Sequence, residues 1–141
     1  MMDAQVDTEY NIFLDDFRHP YDAFNIWKDS MFLKLKWEIV RTHDEFVKTI
    51  TENLANGRWP NMISYDHDLD PEHYDIGEKS NFDEFDYSLT DIPTGYHTAK
   101  WLIEFCKANN LHLPSFTVHS QNKIGRKNIM DVLTEYSFSN G

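Results

Sequence analysis

Ser64-Tyr65-Asp66-His67-Asp68-Leu69-Asp70, SYDHDLD, closes an apolar run from Met62 that otherwise reads as a buried strand. Three carboxylates and an imidazole in the last five of these residues repel one another and resist burial. A strand whose polar residues gather at its C-terminal end is typical of a parallel sheet, where ligands bind outside the carboxyl ends of the strands.

On the N-terminal side, residues 1–10 read as a polar, frayed lead and Asn11–Leu14 (NIFL) as a first strand that stops at Asp15-Asp16. Phe17 to Ser30, with Pro20 and scattered aromatics, reads mostly as loop, and Lys36–Arg41 as a second strand. Thr42-His43-Asp44-Glu45 has the form of a capping box, and Phe46, Val47, Ile50 and Leu54 follow at helical spacing before Gly57. On the C-terminal side, residues 70–93 show no period and read as an acidic excursion, a solvated loop or lid. Thr94 can cap a helix whose Ala99, Leu102, Ile103 and Cys106 share one face. Ser115–Val118 reads as a fourth strand, broken at His119-Ser120, and Gly125–Tyr136 as a last helix with Ile129, Val132, Leu133 and Tyr136 inward. Strands alternating with helices predict an α/β domain over residues 11–141 with a mainly parallel sheet of about four strands.

The 141 residues suffice for one domain, and 40% hydrophobic with 15% aromatic content argues for a packed core. No run reaches the ~20 apolar residues of a membrane span, the N-terminus lacks a signal-peptide pattern, and the one cysteine, Cys106, has no internal partner. A cytoplasmic, reducing setting is the simplest expectation. Of the net charge of −11, most resides between Asp66 and Pro93, which hold ten acids and one lysine. Duplex nucleic acid is therefore an unsuitable general partner. A small phosphorylated ligand held through a metal, or a basic protein, stays open.

Asp15-Asp16, Asp66-His67-Asp68 and His119-Ser120 all fall at strand C-termini and are expected to meet at one edge. A divalent cation relieves converging carboxylates most directly; oxygen-rich sites favour Mg²⁺ or Mn²⁺, whereas histidine ligands shift the preference toward Mn²⁺, Zn²⁺ or iron. The plain alternative is a set of solvated strand ends. His67 and His119 are candidates for proton transfer. Ser120 suits a phosphate oxygen better than a nucleophilic role. The basic opening Lys123–Lys127 suits an anion or is an ordinary first turn. Arg18 is a second candidate phosphate clamp. His43 belongs to the capping turn, His97 to packing, and His19, His73 and His112 are expected at the surface.

The ordered set LDDFRHP (14–20), SYDHDLD (64–70), TGYHTAKWL (94–102) and HSQNKIGRKNIMDVL (119–133) resembles the cyclic-phosphate processing receiver-like domain family. This family, bacterial and phage, is related to response-regulator receivers. The resemblance spans roughly residues 11–135 and implies a receiver-like, flavodoxin-like fold, and host cytoplasm where phage-encoded. By position it implies that Asp15 and Asp16 form the acidic pair, that Asp66 stands at a receiver's phosphoacceptor position, and that Ser120 matches the hydroxyl after the fourth strand. His67, Asp68, His119 and Asn122 match family-specific additions. No fifth strand ending in lysine is found, which weakens a phosphotransfer role.

The expectation is metal-assisted hydrolysis of a cyclic phosphate in a small cyclic nucleotide or an RNA terminus. Asp15, Asp16, Asp66 and Asp68 would hold the metal, with Asp66 also at the reacting centre. His67 and His119 would serve as acid and base, and Ser120, Asn122, Arg126 and Arg18 would orient the phosphate. The alternatives are a non-catalytic module that sequesters a cyclic nucleotide and a phosphoacceptor receiver that regulates a partner.

Overall fold

The computed structural model describes residues 9–81 and 83–140. Strands β1 (Glu9–Leu14), β2 (Trp37–Val40), β3 (Trp59–Tyr65) and β4 (Ser115–Val118) form one parallel sheet in the order β2-β1-β3-β4. Of the lead expected to fray, residues 1–8 lie outside the described residues, while Glu9 and Tyr10 pair with β3. Pro60 lies near the start of β3, where the β1/β3 register shifts between Tyr10 and Asn11, so the missing donor falls at an irregularity.

Strand alternation sorts the core into two layers. Ile12, Leu14, Val40, Ile63, Tyr65 and Val118 face a cluster built with α3 (His43–Ala55), α5 (Gly95–Asn109) and α6 (Lys123–Asn140). Phe13 points the other way, onto Ala23 and Phe32 of α1 (Pro20–Trp27) and α2 (Met31–Lys34). The inward residues expected of α5 are all buried; on α6, Ile129 and Leu133 are buried and Val132 and Tyr136 half-buried.

Two segments read as loop are helical. In 17–30, Pro20 opens α1 with its φ preset, and the Asp22 carboxylate accepts the His19 amide at 2.9 Å. In 70–93, Pro71 opens α4 (Pro71–Glu78), with Asp70 Oδ1 accepting the Glu72 amide at 3.0 Å, and a 3₁₀ turn follows at Tyr87–Leu89. Proline at a helix start differs from proline inside one only in what precedes it. His73, expected at the surface, is fully buried: its Nδ1 accepts the Leu69 amide at 2.9 Å and its Nε2 donates to the Ile92 carbonyl at 2.7 Å. It ties both ends of the excursion together. Burial holds its pKa below the ordinary value, which suits this neutral form.

At the start of α5, the Gly95 amide donates to the His67 carbonyl at 2.8 Å. A Cβ there would stand 1.8 Å from the Asp66 carbonyl oxygen, so only glycine lets the helix meet this strand end. Gly95→Ala is expected to cost about 3 kcal/mol. Gly57→Ala, at φ +77° in open space, should cost about 1 kcal/mol. Urea midpoints of the two variants check the contrast; equal losses would refute the close approach.

Candidate functional site at the strand ends

Strand order reverses between β1 and β3, the switch point of a doubly wound sheet, and the acidic strand ends meet there. Asp15 is fully buried. Its Oδ1 accepts the amides of Phe17 at 3.0 Å and Arg18 at 2.8 Å, and its Oδ2 accepts His119 Nε2 at 2.9 Å. His119 Nδ1 accepts from Ser64 Oγ at 2.7 Å, its ring stacks on Phe13 at 4.3 Å, and its carbonyl accepts Trp27 Nε1 at 2.7 Å. Burial lowers the His119 pKa against the pull of Asp15, so the imidazole is neutral, its Nε2–H on Asp15. Burial alone would raise the Asp15 pKa, but the bonds from His119 and the two amides outweigh it, and the net shift is downward. Asp15 is a pinned, buried negative charge.

His67 stands in a second layer. Its Nδ1 donates to Asp68 Oδ1 at 2.7 Å, and Asn122 Nδ2 donates to the same oxygen at 3.0 Å. Tyr87 donates its hydroxyl to His67 Nε2 at 2.9 Å and accepts Asn128 Nδ2 at 3.0 Å. Donors thus run from Asn128 through Tyr87 and His67 to a carboxylate that can only accept. Gly125 permits the layer, since a Cβ there would come 2.3 Å from His67 Cγ.

A cavity of about 580 Å³ opens in front of these layers, lined by Asp16, Asp66, Asp68 and Asp70, with Arg18 and Ser120 beside them. Asp16 Oδ1 is buried without a hydrogen-bond partner. Burial, then the charges of Asp15 and Asp68, push the Asp16 pKa up to about 6. Burial, then Asp15 and Asp68, also raise Asp66 well above the carboxylate range; its Oδ1 accepts the neighbouring His67 amide at 2.8 Å. Asp15, Asp66 and His119 each offer a ligand atom within 4.8 Å of one another, so this acidic and histidine cluster could hold a metal ion.

The structure brings Asp15, Asp16, Asp66, Asp68, His67, His119, Ser120 and Asn122 to one sheet edge. Ser120 Oγ accepts the Asn122 amide at 3.1 Å, and Asn122 Oδ1 accepts the Gly125 amide at 3.0 Å, starting α6. Both residues line the cavity, as does Arg18, whose Nη2 donates to Gln121 Oε1 at 3.1 Å. His67 and His119 do not line it: they are buried behind Asp68 and Asp15. Arg126 is not in the lining either; its guanidinium lies 4.9 Å over Trp27 and its Nε donates to the Val118 carbonyl. Sequence reasoning missed Ser64 and Tyr87. Ser64 could have been found, since it sits two residues before Asp66 on β3 and is register-paired with Phe13. Tyr87 carries no local signal.

Fold and site together define a receiver-like α/β domain with an acidic cavity at its topological switch point. The model of the cyclic-phosphate processing receiver domain family matches residues 10–135, and the chain belongs to that family. The comparisons with curated proteins and with solved structures gave no match. No helix among the described residues is long and apolar enough to cross a membrane.

Asp16 holds its proton more tightly folded than unfolded. Metal-free protein should therefore lose stability as pH rises from the ordinary carboxylate range through about 6. Melting in EDTA between pH 4.5 and 7 reads this fall, and Asp16→Asn should remove part of it, raising the melting temperature at pH 7 by roughly 2–6 °C. An unchanged or lower melting temperature in that variant would refute the assignment.

Proposed function

We propose that the cavity binds a divalent cation, Mg²⁺ or Mn²⁺, and with it hydrolyses a cyclic phosphate ester of a nucleotide or RNA end. The observation that carries this reading is the orphaned, buried Asp16 Oδ1 beside Asp66, with both carboxyls raised in pKa by burial and then by the charge of Asp15. Oxygen donors from Asp16, Asp66 and Asp68 suit a hard cation. Recruiting His119 would break its 2.9 Å bond to Asp15, which argues against Zn²⁺. A bound divalent cation would supply Lewis acidity toward a phosphoryl oxygen and a more acidic water.

This chain's own residues would do the rest. Ser120 Oγ, whose lone pair already accepts the Asn122 amide, can donate its hydrogen to a phosphate oxygen. Arg18, tethered by Gln121, gives the cavity a cationic side chain. Asp68, with Oδ1 fixed by His67 and Asn122, takes the proton of the attacking water. As the new P–O bond forms, one ring P–O bond breaks, and the proton passes from Asp68 to the leaving alkoxide. His67 and His119 act through the carboxylates they hold rather than on the phosphate.

A second reading, capture of a cyclic nucleotide without turnover, is favoured by one observation: both imidazoles engage protein groups through both ring nitrogens.

The test incubates Mn²⁺-loaded protein with cyclic nucleotides and cyclic-phosphate-ended RNA and follows ring opening by phosphorus NMR. Asp68→Asn should weaken the cation as well, and at saturating Mn²⁺ it should lower kcat by roughly 10²–10⁴-fold. His67→Gln and Tyr87→Phe should cost about 10–100-fold through cation affinity and activity together, as expected of groups that orient a ligand. Ligand returned intact by wild type would leave capture as the function. Calorimetry should also show cation affinity rising as pH passes through about 6, where Asp16 ionises, and falling at least about tenfold in Asp16→Asn. Affinity that is flat with pH and unchanged in the variant would overturn the cation site.

A further inference from the structure

A phosphate and its cation fill only part of a cavity of about 580 Å³, a size that accepts a whole small-molecule ligand. Phe17 and Tyr74, from different segments of the chain, line the same cavity. Their side chains are exposed, Phe17 at 64% and Tyr74 at 53%, and neither belongs to the two core clusters.

Local structure holds each ring at the mouth. The amides of Phe17 and Arg18 are fixed on Asp15 Oδ1, which turns the Phe17 side chain away from the core. The Arg18 guanidinium, tethered to Gln121, lies 5.1 Å from the Phe17 ring. On α4, His73, Ile76 and Gly77 face inward, and Tyr74 stands on the other side, toward the cavity. Exposed aromatic faces next to a phosphate site are how proteins hold bases without reading their edges.

The geometry points to a base subsite: Phe17 and Tyr74 stack the nucleobase of a nucleoside cyclic phosphate whose phosphate lies over Asp16, Asp66 and Asp68. This rests on the cyclic-phosphate reading above and deepens it by assigning the residues that hold the base of that nucleotide. Recognition is through ring faces, so preference follows stacking area, purine above pyrimidine.

Calorimetry on the full chain with Mg²⁺ would compare adenosine 2′,3′-cyclic phosphate, adenosine 3′,5′-cyclic phosphate, ribose 2′,3′-cyclic phosphate and adenosine 5′-monophosphate. The base should tighten binding by roughly 5- to 150-fold over the bare sugar, matching ~1–3 kcal/mol per stacked base. Phe17→Ala and Tyr74→Ala should erase that advantage without weakening ribose cyclic phosphate, and Phe17→Tyr and Tyr74→Phe should restore it. Equal binding of ribose cyclic phosphate and the nucleotides, or equal losses on both in the alanine variants, would overturn the subsite and leave the cyclic-phosphate reading standing. Ring-dependent binding of adenosine 5′-monophosphate alone would support the subsite and overturn the cyclic preference. Binding of none of the four would overturn both.

Discussion

Parallel strands deliver their C-terminal residues to one edge, and here that edge receives carboxylates from β1 and from β3. The charge on Asp15 organises the rest. It is buried, yet it is held ionised by two backbone amides and the neutral His119. A fixed negative charge in a poorly solvated place is what raises its neighbours: Asp15 stands directly after burial among the causes of the upward shifts of both Asp16 and Asp66. Without His119 and the amides burial would push the Asp15 pKa upward instead, and the pressure of its charge on the other two would fall. The packing of Phe13 on His119 and the Ser64 hydrogen bond thus reach the cavity through one carboxylate.

The two histidines share a design. Each is enclosed, donates one ring N–H to a carboxylate, and accepts on the other nitrogen from a hydroxyl, Ser64 for His119 and Tyr87 for His67. Such pairing fixes the tautomer and the carboxylate's orientation together. It also explains why an acidic excursion lies beside an acidic site. The excursion folds as α4 and a 3₁₀ turn, closed by His73, and contributes Tyr87 to the inner layer and Asp70, Pro71 and Tyr74 to the cavity wall. Its acids face outward for the most part, while its aromatic and imidazole groups do the packing: Phe85 meets His67 at 4.8 Å and Tyr87 stacks on Tyr96.

The strands, the Thr42 and Thr94 caps and the buried face of α5 were legible because they depend on residues near in sequence: alternation, a hydroxyl three residues before its amide, a 3.6-residue stripe. The carboxylates were legible for the same reason, since strand ends of a parallel sheet must share an edge. What stayed hidden depends on distance or on context. His19-Pro20 and Asp70-Pro71 begin helices, yet a proline within a polar, aromatic segment reads equally as a break. His73 is buried by a carbonyl nineteen residues away, and Tyr87 reaches an imidazole twenty residues away. Arg126 sits on the helix turn where an anion clamp was expected, but Trp27, ninety-nine positions earlier in the chain, offers its ring face instead.

Charge also sets the order in which the cavity can fill. Four carboxylates line it beside one arginine, and three of them, Asp66, Asp68 and Asp70, belong to the segment that carries most of the chain's net charge. A phosphate approaching this mouth meets repulsion unless protons or a cation intervene. Protons answer only in part near neutral pH, because Asp16 titrates at about 6 and has largely ionised by then. In the proposed function the cation therefore enters first and the anionic ligand second. The same field that would repel free phosphate would attract divalent cations to the strand ends. Arg18 alone could not reverse that field, since its guanidinium is shared between Gln121 and the Phe17 ring. In the proposed function it orients a phosphate only once the carboxylates are neutralised, so that reading makes anion binding conditional on the cation.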